Sequence, residues 1–197
     1  MKLFLNNSNE VGIDEAGRGP LLGRVYAGAV VWSNTPKCDL IKDSKKLSPK
    51  KRKLALKWIK ENIKDWSYGY ATEEEIDQIN ILEATKLAIE RAINNLKKKP
   101  SNAIIDGVGW EKMKDRYKLD VISVVKGDSK YYSIAAASII AKEYHDDYIR
   151  NLCQQDSTLD QKYDLLKNKG YGTKKHIEGI QKHGISDYHR KTFKQCK

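Results

Sequence analysis

The sequence predicts an α/β fold, with helices packed on a central sheet and a helical C-terminal extension. Three observations carry that reading. Short runs rich in Val, Ile and Tyr alternate with stretches of helical periodicity. Two such runs open the chain on either side of a glycine-rich turn. The Ala135-Ala136-Ala137 stretch is small enough to lie closely on a sheet. In order, strands are expected over 11–14 and 24–32, joined by the turn that holds Gly17, Gly19, Pro20 and Gly23. Ser48 then caps a helix that starts at Pro49 and continues at helical spacing through Leu54, Ala55, Trp58, Ile59 and Ile63. Its basic face is Lys50, Lys51, Arg52, Lys53, Lys57 and Lys60. A third strand over 66–71 leads into Thr72 and Glu73 to Glu75, which open a helical region continuing to Leu96. Pro100 and Ser101 break it, and a buried strand over 103–105 ends in Asp106-Gly107. A fifth strand over 119–125 runs into Lys126-Gly127-Asp128, followed by a helix over 131–152. Helices near 159–167 and 174–182 flank Gly170-Tyr171-Gly172-Thr173. The whole, 1–197, reads as one domain, with a core to about 155 and a basic extension over about 156–197.

The formal net charge of +11 points to a polyanionic partner, because clustered Lys and Arg bind a phosphate backbone partly by releasing condensed counterions. Cys38, Cys153 and Cys196 are odd in number and unrelated in spacing, so no disulfide framework or structural zinc site is expected. A reducing, cytoplasmic setting fits them. The apolar start at Leu3 to Leu5 is too short for a signal segment, and no apolar run is long enough to span a bilayer. His145, His176, His183 and His189 have no metal-motif partner spacing, so surface or core roles are expected for them.

Chemistry concentrates in the opening segment. Asp14 and Glu15 can hold a hard divalent cation through oxygen, and Gly17, Arg18 and Gly19 let main-chain amides approach a phosphate or a sugar. Asp106 follows the fourth strand, where open α/β sheets place their ligands, and Asp128 follows the fifth. If these strands lie side by side, four carboxylates meet at one sheet edge, enough oxygen to hold two Mg²⁺ ions against a substrate phosphate. Singly, each acid has a plainer reading as a turn or cap residue.

Eight ordered segments then carry a resemblance: 12–21 with Gly23; Asp43-Ser44-Lys45-Lys46-Leu47-Ser48; Ile76-Asp77 with Asn80-Ile81-Leu82 and Ala84-Thr85; Ile105-Asp106-Gly107; Lys126-Gly127-Asp128-Ser129; 135–142; Gly170-Tyr171-Gly172-Thr173 with His176; and His189-Arg190 with Phe193. Over nearly its full length the sequence resembles ribonuclease HII, the type 2 ribonuclease H family. The resemblance implies an RNase H-like fold with a mixed central sheet. It implies an endonuclease dependent on Mg²⁺ or Mn²⁺ that cuts the RNA strand of RNA–DNA hybrids and incises 5′ to single ribonucleotides embedded in duplex DNA. It also implies that Asp14, Glu15, Asp106 and Asp128 are the catalytic, metal-holding carboxylates. By the same resemblance Gly17, Arg18 and Gly19 contact the ribonucleotide, and Tyr171 works with that turn to sense the ribose. Lys45, Lys46, the basic helix and the Lys-rich C-terminal segment would neutralise the duplex backbone.

Hydrolysis would proceed with two metals, one activating water and one stabilising the leaving 3′ oxygen, and would give 3′-hydroxyl and 5′-phosphate ends. Where the family shows a basic residue before an aspartate, this chain has His145 and Asp146, and a supporting carboxylate is the preferred reading of Asp146. No glutamine-led aromatic motif follows Phe193, so sliding-clamp recruitment is not expected, and a monomer is. The alternatives are ribonuclease HIII, which usually carries an added N-terminal domain, a nucleic-acid-binding module without catalysis, and a resolvase-like nuclease preferring branched DNA.

Overall fold

The structure, a computed structural model, describes residues 1–6, 9–33 and 35–197. Five strands form a mixed sheet in the order β3-β2-β1-β4-β5. β1 (Glu10–Ala16), β2 (Val25–Val31) and β3 (Asp65–Ala71) are successively antiparallel, whereas β4 (Asn102–Asp106) and β5 (Asp120–Val124) continue the sheet parallel to β1. The opening hairpin therefore puts β1 at the centre, with every residue of β2 buried beside it.

Helices cover both faces. α1 (Pro49–Asn62) begins where expected, with the Ser48 hydroxyl accepting from the Lys51 amide. α2 (Glu73–Asn94) starts on a full capping box, in which Thr72 and Glu75 satisfy each other's backbone amides. α3 (Lys114–Tyr117) is a single turn between β4 and β5 that the sequence reading lacks, preceded by a 3₁₀ turn at Trp110–Met113. α4 (Tyr132–Gln155) is the long central helix, followed by α5 (Ser157–Tyr163), α6 (Leu165–Asn168) and α7 (Lys174–His183). The single helix expected near 159–167 is thus two, because Asp164 turns left-handed with φ 57° between them. α2 is interrupted as well. Asn80 has φ 67°, and its side chain accepts from the Leu82 and Glu83 amides at 2.9 and 3.1 Å, so it caps the second half of the helix.

α2 packs on one sheet face with Ala84, Ala88 and Ala92 against Val25, Ala27 and Ala29. On the other face α4 and α1 enclose Val30, Trp32, Ile59, Ala136 and Ile140. Here the helix lies almost on the backbone of the sheet. A Cβ at Gly12 would come within 2.3 Å of the Ser133 hydroxyl, and one at Gly28 within 2.3 Å of the Ala137 carbonyl oxygen. A third apolar cluster, Leu22, Ile149, Leu152, Leu159, Tyr163 and Leu165, seats the C-terminal helices on the end of α4.

Arg52 corrects the expected basic face of α1. It lies one turn before Ala55, Leu56 and Ile59 on the buried stripe, so it points at α4 rather than at solvent. Its Nε donates to Glu143 at 2.5 Å and its Nη2 to Asp146 at 3.1 Å. Replacing it would leave the buried Glu143 without a cationic partner among the described residues and strip Asp146 Oδ2 of its bond. Arg52→Leu is expected to destabilise the protein by about 3–5 kcal/mol, the usual result of breaking a buried pair from one side. Urea unfolding checks this, and a wild-type midpoint would show that the triad carries no stability.

Candidate active site

β1 and β4 are parallel neighbours with Ile13 opposite Ile105, so the next residue of each, Asp14 and Asp106, leaves the sheet on the same side. That side is the α4 face, since Gly12, two residues before Asp14, lies against Ser133. Asp128 arrives from the 3₁₀ turn Gly127–Ser129 that links β5 to α4. The turn is tied to the sheet end by the Gly127 amide, which donates to Asp106 Oδ1 at 2.7 Å. Asp14, Asp106 and Asp128 each offer an oxygen, and these oxygens all lie within 4.8 Å of one another.

Glu15 stands outside that trio. Strand alternation sets it off the line of Asp14, but near the strand end it still lines the same cleft, and Arg18 pairs with its Oε1 at 3.2 Å. Its Oε2 is nonetheless buried with no hydrogen-bond partner among the described residues. Burial, then Glu15 and Asp106, push the Asp14 carboxyl well above the ordinary carboxylate range. Burial also raises Glu15, against the pull of Arg18. Asp128 is raised by burial and by the neighbouring Asp43 and Asp106. Lys45 faces the group. Although its burial acts the other way, Asp14, Asp128, Asp43 and Asp106 hold its ammonium above the usual lysine range. Lys46, exposed like Lys45, lies 4.0 Å from Asp43 and is not part of the cleft lining. Closely packed, mostly buried oxygens with too little positive charge nearby fit a hard divalent cation.

The glycine-rich turn forms the wall beside the acids. Gly17 takes φ 91°, a conformation closed to most side chains. Across from it, Tyr171 is 41% exposed, and its ring approaches Gly19 so closely that a Cβ there would sit 3.3 Å from Cε1. Between acids and tyrosine runs a cleft of about 410 Å³. Besides Ala16, three polar lining residues, Ser44, Ser138 and Lys142, lie outside the expected site set. The signal was present in the spacing: Ser138, Lys142 and Asp146 fall four apart, a polar stripe that begins within the Ala- and Ile-rich run 134–141. Lys142 Nζ lies 2.9 Å from Asp146 Oδ1 and 5.7 Å from the Tyr171 ring centre. Asp146 also accepts from Arg52 and contacts His145 Nδ1 at 3.1 Å. Despite burial, the hydrogen bonds from His145 and Lys142 hold its carboxyl down to about 2. It is thus committed to neighbouring side chains, in line with a supporting role.

Residues 11–196 match the family described as Ribonuclease HII. The chain belongs to the ribonuclease HII family. Ribonuclease HII of Bacteroides thetaiotaomicron is 46% identical over 184 residues, covering 93% of this chain and 88% of that one. Among solved structures, ribonuclease H2 from Pyrococcus horikoshii is similar with a TM-score of 0.72 at 28% identity, covering 95% and 94% of the two chains. The RNase HII of Archaeoglobus fulgidus, solved in a complex with PCNA, gives 0.74 at 26% identity, with 94% and 95% covered. Ribonuclease HII membership makes this chain a ribonuclease H, an endonucleolytic hydrolase, and accounts for the mixed sheet with its flanking helices. Among the described residues no helix is long and apolar enough to cross a membrane.

Proposed function

We propose that this ribonuclease HII hydrolyses the RNA strand of RNA–DNA hybrids and incises duplex DNA on the 5′ side of single embedded ribonucleotides, leaving 3′-hydroxyl and 5′-phosphate ends. The observation that carries the reading is the meeting of Asp14, Asp106 and Asp128 within 4.8 Å beside the Gly19–Tyr171 contact. Mg²⁺ or Mn²⁺ would be held by those three acids, with the free Oε2 of Glu15 as a further ligand. Bound there, divalent ions supply an activated water and charge stabilisation at the scissile phosphate.

The chain's own residues do the rest. Lys45 over the acids, and Lys142 and Arg18 on the cleft walls, neutralise backbone phosphates and hold the scissile strand in register. The turn's main-chain groups would hydrogen-bond the 2′-hydroxyl of a sugar docked in the cleft, the one group that separates ribose from deoxyribose. Tyr171 closes the opposite side, its ring stacking on the neighbouring deoxyribose. No serine or cysteine nucleophile is needed, since water attacks phosphorus directly.

The deciding experiment is cleavage of an end-labelled DNA duplex containing one ribonucleotide, mapped at nucleotide resolution with Mg²⁺ and with Mn²⁺. Incision is expected immediately 5′ to the ribonucleotide and nowhere in an all-DNA control. Cuts at other positions, or a preference for branched DNA lacking ribose, would sink the proposal in favour of a resolvase-like activity.

A further inference from the structure

The two halves of the proposed ribose reader, the Gly17-Arg18-Gly19 turn and Tyr171, come from opposite ends of the sequence. Each is held by one member of a single dipeptide. Arg190 is fully buried, and among the described residues its guanidinium donates to carbonyls alone: Nε to Gly23 at 2.8 Å, Nη1 to Arg18 at 3.0 Å and Nη2 to Gly17 at 2.5 Å. No acid pairs with it at salt-bridge distance among the described residues. Burying a guanidinium without a counter-ion is costly, and an aliphatic side chain would fill the space without that penalty. What the fork adds is a fixed spacing of three turn carbonyls.

His189 reaches the other half. Its Nδ1 accepts from the Ser186 amide at 2.9 Å, so its proton sits on Nε2. That nitrogen lies 3.1 Å from His176 Nε2, which must therefore accept. The His176 proton is then on Nδ1, 2.9 Å from the carbonyl oxygen of Tyr171. Three hydrogen bonds run in one direction and end on the backbone of the tyrosine. Burial keeps both rings neutral, with His189 pushed down to about 4 and His176 lowered as well. The Arg190 and Leu21 amides lock the assembly, donating to the Leu21 and Gly170 carbonyls at 2.9 and 2.8 Å.

We propose that His189 and Arg190 form a clasp of two positioning residues that sets the gap between Tyr171 and the Gly17–Gly19 turn, and so selects single embedded ribonucleotides. The inference rests on the reading of Tyr171 and the turn as the ribose reader. A long hybrid presents ribose at every step and tolerates a loosely set gap. A lone ribonucleotide offers one chance, and needs the gap preset.

The readout is kcat/KM on a single-ribonucleotide duplex divided by kcat/KM on a long hybrid, for variants shown to be folded by thermal melting. Arg190→Lys retains the charge but not the fork, and His189→Phe retains a ring without its hydrogen bonds. Each is expected to lower the ratio about tenfold, the scale of one buried hydrogen bond. His176→Asn, which keeps a donor near the Nδ1 position, is expected to recover most of what His176→Phe loses. In a Tyr171→Ala background, His189→Phe should lower the ratio no further. Parallel losses on both substrates, or a full additional loss in that background, would mean that the dipeptide is only structural. If Tyr171→Ala lowers the ratio and the clasp variants do not, the clasp alone fails. If Tyr171→Ala leaves the ratio unchanged, the reader fails and the clasp with it. The wild-type protein gives an independent check by ¹⁵N NMR of the ring nitrogens. Protons on His189 Nε2 and His176 Nδ1 support the relay, and the opposite tautomers overturn it.

Discussion

Asp14→Asn and Asp106→Asn are each expected to abolish turnover, by about 10³-fold or more, while hybrid binding measured in Ca²⁺ is largely kept. These acids leave adjacent strands side by side, whereas affinity comes mainly from lysine and arginine contacts to phosphates. Asp128→Asn belongs with them, because its oxygen lies in the same 4.8 Å group. A second effect of opposite sign accompanies the first. The Asp14 carboxyl is raised by burial and by Glu15 and Asp106, so its stabilising contribution is present at low pH and lost as pH rises through its folded-state value. At neutral pH and without metal, Asp14→Asn should therefore raise Tm above wild type. Wild-type cleavage rates would remove the metal assignment, and an unchanged or lower metal-free Tm would show that Asp14 stores no electrostatic strain.

Tyr171→Ala carries the next largest effect. The ring lies against Gly19 over open cleft rather than within the core, so its loss leaves the acids in place and removes the surface proposed to press the sugar onto the turn. Incision at a single embedded ribonucleotide is expected to fall roughly a hundredfold, the cost of losing productive alignment. Tyr171→Phe should cost less, because the ring remains. Residual cutting should still need the divalent ion and still occur 5′ to the ribonucleotide. A wild-type rate for folded Tyr171→Ala would make Tyr171 a packing residue.

Much of this site is legible in the residues. Asp14, Asp106 and Asp128 all sit at strand ends or just beyond, and local patterns mark strand ends well: glycine follows Asp106 and precedes Asp128, and no sheet register is needed to see it. Register decides the rest. The pairing of Ile13 with Ile105 is what turns Asp14 to the side of Asp106, while Glu15 reaches the same cleft from the strand end with its Oε2 left unpartnered among the described residues. Arg52 reads as surface because six basic residues crowd one helix, and only the acids of a distant α4 reveal that it faces inward. The breaks at Asn80 and Asp164 were hidden for a related reason: hydrophobic period continues through a residue whose backbone leaves the helix. His176 and His189 carry no metal spacing, and their bond to each other exists only once α7 and the C-terminal segment are brought together.

The seating of α4 on Gly12 and Gly28 has a consequence for motion. With helix atoms where a methyl group would otherwise stand, the helix cannot slide or pivot on the sheet without colliding with backbone, and close-packed interiors do not deform gradually. The floor of the cleft, with Asp14 on the strand and Ser138 and Lys142 on the helix, moves as one piece. Admission of a duplex and release of its cut strand then fall to the rims: the segment around Ser44 and Lys45, and the turn after β1 together with the loop of Tyr171, which the His189–Arg190 clasp carries as one unit. Microsecond-to-millisecond exchange measured by relaxation dispersion belongs at those rims, with the floor silent.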